Sequence, residues 1–153
     1  MKKFNFSLQK LLDYKEQLFD VERTILGDMH AALNGMLEER DEMRRQHTGR
    51  SAELREKMIA GISAIEMETH KNFLTMLDFS IKQKEQQIEL QRKAIDKQTD
   101  KVKEAKIELS TIEKLKERKL EDYNYEANKA EQAFIEEFVS NKKATSQSER
   151  HAG

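Results

Sequence analysis

The side chains able to do acid–base or metal chemistry are four histidines, His30, His47, His70 and His151, and a large pool of carboxylates. The histidines are scattered. None stands in an H-E-x-x-H pair, which would put two imidazoles on one helical face for metal-assisted hydrolysis. Cysteine is absent, which excludes a thiolate nucleophile, a disulfide framework and a zinc–thiolate site. There is no G-x-x-x-x-G-K-[ST] phosphate loop and no G-x-S-x-G nucleophile turn. Two glutamates on a thin helix lack the water-excluding pocket that would raise a carboxyl pKa. These residues are expected to be solvated helix residues, in a chain that is no enzyme and holds no metal or cofactor.

Charge is the other candidate chemistry. Residues 82–119 carry a local basic excess, densest at Lys114-Leu115-Lys116-Glu117-Arg118-Lys119. No aromatic residues interleave with these cations to stack on bases, and no nucleic-acid-binding motif surrounds them. The net charge is −1, so nothing pulls the whole chain toward nucleic acid or anionic lipid. A solvated face is the expected role, with an acidic protein surface as the alternative.

The elements that would carry these residues are helices. The chain is 37% hydrophobic and 37% charged. Globular domains run at roughly 45–50% apolar and about 25% charged, so a thick core is excluded and a narrow apolar stripe is favoured. Proline, which breaks helix interiors, is absent. The N-terminal residues lack a signal-peptide h-region, and no apolar run approaches the roughly 18 residues of a spanning helix. The expectation is a soluble, cytoplasmic protein.

The first helix is expected over about 7–59, capped by Ser7, with Phe6 and Leu11 at hydrophobic-staple spacing. Apolar pairs then recur every seven residues: Leu11–Leu12, Leu18–Phe19, Ile25–Leu26, Ala32–Leu33. Met29, Met36 and Met43 continue one edge of the stripe. A seven-residue repeat keeps one face toward a partner helix and winds the pair left-handed. Residues 48–51, around Gly49, predict a kink or a frayed turn. Gly61 is placed to end the helix, and Ser63-Ala64-Ile65-Glu66 has capping-box spacing, so the reversal is expected at 60–63, with the reverse assignment, a reversal at 48–51, as the alternative.

A second helix follows over about 64–139. Ile81, Ile88, Ile95, Val102 and Leu109 repeat at intervals of seven. Their companions Lys84, Gln91 and Gln98 are polar, which predicts a thin, partly wet seam. With Leu11, Leu18 and Ile25 supplying the first arm's side, the expected fold is all-α. It is a long two-stranded antiparallel coiled-coil hairpin, second helix longer than the first, spanning 1–140. The polar tail 141–153 is expected to be disordered.

The arm lengths then matter. With the turn near Gly61, Ser7 comes opposite about Leu115. Residues from about Leu120 to Phe138 overhang by roughly 25–30 Å of helix at about 1.5 Å per residue. Leu120, Tyr123, Ala127, Ala130, Phe134 and Phe138 share one face of that overhang. An apolar stripe without a partner marks an interface, unless Phe4 and Phe6 fold back onto it or two chains pair there.

Three segments now resemble a known family. Phe4-Asn5-Phe6-Ser7-Leu8-Gln9-Lys10-Leu11-Leu12 is similar to the F-x-F-x-L-Q-x-L-L opening of the FliJ family of flagellar export proteins. Leu115-Lys116-Glu117-Arg118-Lys119 is similar to its L-x-E-R-K element. Ile135-Glu136-Glu137-Phe138 resembles its terminal L/M-D-E-F, with Ile and Glu in place of the usual first two residues. The resemblance spans about residues 4–140. It implies an antiparallel coiled coil like the stalk of the rotary ATP synthase gamma subunit. It implies two partners, the export ATPase hexamer and the export-gate membrane protein, with export chaperones as further candidates, and a place at the cytoplasmic face of the membrane without insertion. The ring contact would fall on the Leu120–Phe138 stripe. The gate contact would fall on Phe73, Leu77, Ser80 and Lys84, of which Ser80 and Lys84 are more polar than the family pattern; a small local core sealing the hairpin end is the alternative role for Phe73 and Leu77. A virulence-type secretion stalk and a generic coiled-coil spacer are the alternatives.

Overall fold

The computed structural model describes residues 2–153 and is 92% helical, with no strand among them. Helix α1 spans Gln9–Ala60 and helix α2 spans Ala64–His151. The fold is all-α, a helical hairpin whose second helix is the longer. Both helices contribute to two compact units, Leu18–Ala105 and Met1–Gln17 with Lys106–Gly153.

In the Leu18–Ala105 unit the helices pack antiparallel along a strict heptad seam. On α1 it runs through Phe19, Leu26, Leu33, Arg40, His47 and Leu54, with Met29, Met36 and Met43 between. On α2 it runs through Leu77, Ile81, Lys84, Ile88, Gln91, Ile95, Gln98, Val102 and Ala105, every one buried or half-buried. The seam expected on α1 is corrected by one residue. Ile25 is 41% exposed, and in the other unit Leu11 is 37% exposed while Leu12 is only 4% exposed. Leu18 is half-buried. In the pairs Leu11–Leu12, Ile25–Leu26 and Ala32–Leu33 the second member leads, while Leu18 and Phe19 are both half-buried; Leu26, Met29, Leu33 and Met36 alternate in steps of three and four, the spacing a coiled-coil face requires.

The polar seam positions are turned inward and satisfied. Gln91 Nε2 donates to the Met29 carbonyl at 3.0 Å, and Gln98 Nε2 donates to the Glu22 carbonyl at 3.0 Å and to its carboxylate. A helical carbonyl already accepting from its own helix has a second lone pair for such a bond. Lys84 is ion-paired with Glu39 across the seam, and Arg44 pairs with Glu85 at 2.6 Å.

The chain reverses over 61–63. Gly61 has φ 93°, the left-handed conformation that lets a helix end without steric cost. Ser63 Oγ accepts a hydrogen bond from the Glu66 N–H at 3.2 Å, capping α2. Around Gly49, by contrast, α1 is unbroken. No frayed turn interrupts it, and contacts flank it. His47 Nε2 lies 2.9 Å from the Asp78 carboxylate, and the Arg50 guanidinium sits 4.3 Å over the Phe73 ring. These two glycines predict opposite outcomes. A Cβ at Gly49 meets nothing within 4 Å, so Gly49→Ala should stabilise the hairpin by about 0.5–1 kcal/mol. Gly61→Ala should destabilise it by about 1 kcal/mol, because alanine pays for the left-handed conformation. Thermal melts followed by circular dichroism check both signs.

In the other unit the chain enters α1 by a turn, Gln9 N–H donating to the Phe6 carbonyl at 3.1 Å. The helix thus starts at Gln9, one residue later than a cap at Ser7 predicts, and Phe6 is buried. Lys15 pairs with Glu108 at 2.8 Å, and Lys116 Nζ donates to Gln9 Oε1 at 2.8 Å. Residues 141–151, expected to be disordered, continue α2 to His151. No Pro or Gly interrupts them, and extending an existing helix is far easier than starting one. Thr145 and Ser146 donate back to the carbonyls of Asn141 and Lys143.

Candidate functional site

Two sets of side chains remain as candidates, both on α2. The first is the terminal stripe, within the unit formed by the chain ends. Its start is already occupied. The Tyr123 ring packs against Phe4 with centroids 5.6 Å apart, and its hydroxyl donates to the Lys2 carbonyl at 2.6 Å. Phe4 therefore folds back onto the stripe, as one of the sequence alternatives required. Leu120, at 39% exposed, lies at the edge of this contact region. Beyond it the stripe opens. Ala127 is half-buried and Ala130 exposed, while Phe134 and Phe138 are 69% and 61% exposed. Sequence reasoning missed Ile135 and Val139, which are also exposed and form a second row beside Phe134 and Phe138. Their i,i+4 spacing was a readable signal, hidden because a single stripe was traced. Glu131, Glu136 and Glu137 rim this face.

The second set belongs to the hairpin unit. Here the four gate-contact residues do not form one open face. Leu77 is 5% exposed and sits in the seam, so it is corrected from a partner-facing to a core residue. Lys84 is half-buried and engaged with Glu39, Phe73 is half-buried under Arg50, and Ser80 is half-buried. The reason is phase: Leu77 and Lys84 are seven apart and continue the Ile88-Gln91-Ile95 seam. The apolar side chains open to solvent nearby are instead Met76 and Phe79, at 55% and 62% exposed.

No histidine meets a metal-site geometry, and no group of three His or carboxylate side chains that could hold a metal occurs among the described residues. His70 is buried with its Nδ1 lacking a partner. Glu53's carboxyl is held below the usual carboxylate range by the Lys57 hydrogen bond and charge. That pair is on the surface, an i,i+4 helix contact rather than a poised acid. No helix among the described residues is long and apolar enough to cross a membrane.

Faces of bare helix, rather than a cleft with convergent polar groups, define a coiled-coil binding protein. The comparisons specify which kind. The chain belongs to the family described as flagellar FliJ protein, whose model matches residues 4–148. Membership supports a role as a structural component of a flagellar or related type III export system. In fold it is similar to a putative YscO homologue, CT670, from Chlamydia trachomatis, with a TM-score of 0.64 at 19% identity, over 97% of this chain and 98% of that one. No curated protein sequence matches it.

Proposed function

We propose that the chain is the non-enzymatic stalk of the flagellar export apparatus, working in the cytoplasm at the inner face of the cell membrane. Its α2 face from Ala127 to Val139 docks in the export ATPase hexamer. The Phe73–Lys84 region faces the export-gate membrane protein, with Leu77 holding the helix in place rather than touching the partner. Binding both partners couples energy to export, and export chaperones are a further class of partner.

One observation carries this reading: Phe134, Ile135, Phe138 and Val139 are open to solvent, about three turns and more beyond Tyr123, which packs on Phe4. A contiguous apolar face of this kind is costly to leave in water and fits a groove or ring. Co-elution of the purified full chain with the export ATPase hexamer tests it. A chain that fails to co-elute, and whose deletion leaves cells motile, would sink the reading. A virulence-type secretion stalk, the alternative, predicts lost effector secretion with motility intact.

A further inference from the structure

The outer side of α2 carries a second heptad stripe that faces away from α1. Its positions are Ile65, Thr69, Asn72, Met76, Phe79, Gln83, Gln86 and Leu90, in alternating steps of four and three. All eight are exposed, and the four large apolar members are 77% (Ile65), 55% (Met76), 62% (Phe79) and 67% (Leu90) exposed. None of the eight is charged, in a chain that is 37% charged. The next positions in the same phase, Lys93 and Lys97, are charged, so the stripe has a defined end. A solvated outer face gains nothing from excluding charge over so many turns. A face that receives another helix does, because charge is depleted where helices pack.

The order of residue types says which helix. Reflected about the point between Leu77 and Asp78, the stripe matches itself in polarity. Met76 meets Phe79, Ile65 meets Leu90, Asn72 meets Gln83, and Thr69 meets Gln86. Apolar falls on apolar, and hydrogen-bonding amide or hydroxyl on amide. The side-chain amides of Asn72, Gln83 and Gln86 have no partner among the described residues. This is the pattern an isologous two-fold contact needs, in which one patch binds its own copy. We propose that the Ile65–Leu90 outer face of α2 is a self-association surface, on which a second copy of this chain packs antiparallel about a two-fold axis between Met76 and Phe79.

Met76 and Phe79 of both copies then form one central apolar cluster, flanked by the uncharged polar pairs and closed at each end by Ile65 against Leu90. On one flank Glu68 comes beside Glu89 of the second copy, a like-charge contact that weakens the pair and tunes its affinity. The proposal uses none of the terminal stripe, and although Met76, Phe79 and Gln83 lie within the Phe73–Lys84 stretch, its test reads self-association rather than gate binding.

Sedimentation equilibrium of the full chain over a concentration series tests it. A monomer–dimer equilibrium is expected. It should weaken at least about tenfold in the double variant Met76→Glu, Phe79→Glu, strengthen in Glu89→Lys, and persist in Phe134→Ala, Phe138→Ala. Both central residues are exposed, so the glutamate variant should melt as the wild type does. Register is read by cross-linking, because the chain has no cysteine of its own. A mixture of Met76→Cys and Phe79→Cys chains should oxidise to a disulfide dimer faster than either alone. A concentration-independent monomer mass, a dimer untouched by the double glutamate variant, or self-cross-linking of Met76→Cys as fast as the mixture would each overturn the proposal.

Discussion

Phe134→Ala together with Phe138→Ala is expected to abolish binding to the export ATPase while leaving the helix content unchanged. Both rings stand in solvent, so their removal takes nothing from the fold. Alanine also favours the helix more than phenylalanine does. At a helix-in-groove interface, aromatic anchors of this kind cost about 2 kcal/mol or more each, and 1.4 kcal/mol is tenfold in affinity. The pair should therefore weaken binding by at least about a hundredfold, measured by calorimetric titration or co-elution with the hexamer. Tyr123→Ala gives an informative contrast. It removes the ring that Phe4 packs on and the hydroxyl bonded to Lys2, so it should loosen the N-terminal segment as well as alter binding. Wild-type affinity in the double alanine variant would move the contact to the basic segment Lys114–Lys119.

Leu77→Ala should be the most damaging single substitution at the proposed gate region, and it should act through stability. Leu77 is 5% exposed and lies in the seam one heptad from Lys84 and two from Gln91. Truncating a buried leucine costs about 2–5 kcal/mol. In a two-stranded seam that can partly collapse, the lower end, about 2–3 kcal/mol, is expected. The melting temperature should fall clearly. Phe73→Ala loses a stacked arginine, worth about 0.5–1 kcal/mol near the surface, and the packing of a half-buried ring, so its melting curve should shift less than that of Leu77→Ala. Lost motility in Phe73→Ala with an intact melting curve supports a gate contact at that ring. An unchanged melting curve in Leu77→Ala would contradict the seam assignment.

The repeat of Ile81, Ile88, Ile95, Val102 and Leu109 was legible because branched aliphatic residues recurred at one interval, with no competing neighbour in phase. The α1 seam was legible as a stripe but not to the residue. Adjacent apolar pairs fit two faces, and only the partner helix decides which member turns inward. Polar Lys84, Gln91 and Gln98 read as weak points. In the structure they are anchored on α1 carbonyls and carboxylates, which no pattern of hydrophobicity displays. The contact of Phe4 with Tyr123 joins residues far apart in sequence, so it was visible only as an alternative. The continuation of α2 to His151 escaped notice because an exposed helix carries no stripe; its signal is only the lack of a breaker. For Leu77 the sequence left a partner-facing and a core role open, because a family likeness assigns a role without assigning the side chain's direction, and the structure buries it.

The glutamines of the seam have a mechanical consequence. Gln91 grips the Met29 carbonyl and Gln98 grips the Glu22 carbonyl, two rungs one heptad apart on both helices. Pure leucine packing resists separation but gives way to sliding more readily, since one greasy contact replaces another. These amides fasten to fixed backbone points, which recur on the same face only about one helical turn, roughly 5.4 Å, further along. Small axial creep of α2 past α1 must therefore break both bonds together and gains no replacement until about a turn has passed. Within the Leu18–Ala105 unit the two strands are keyed like a spline, and a twist or pull delivered to one is handed to the other without slack.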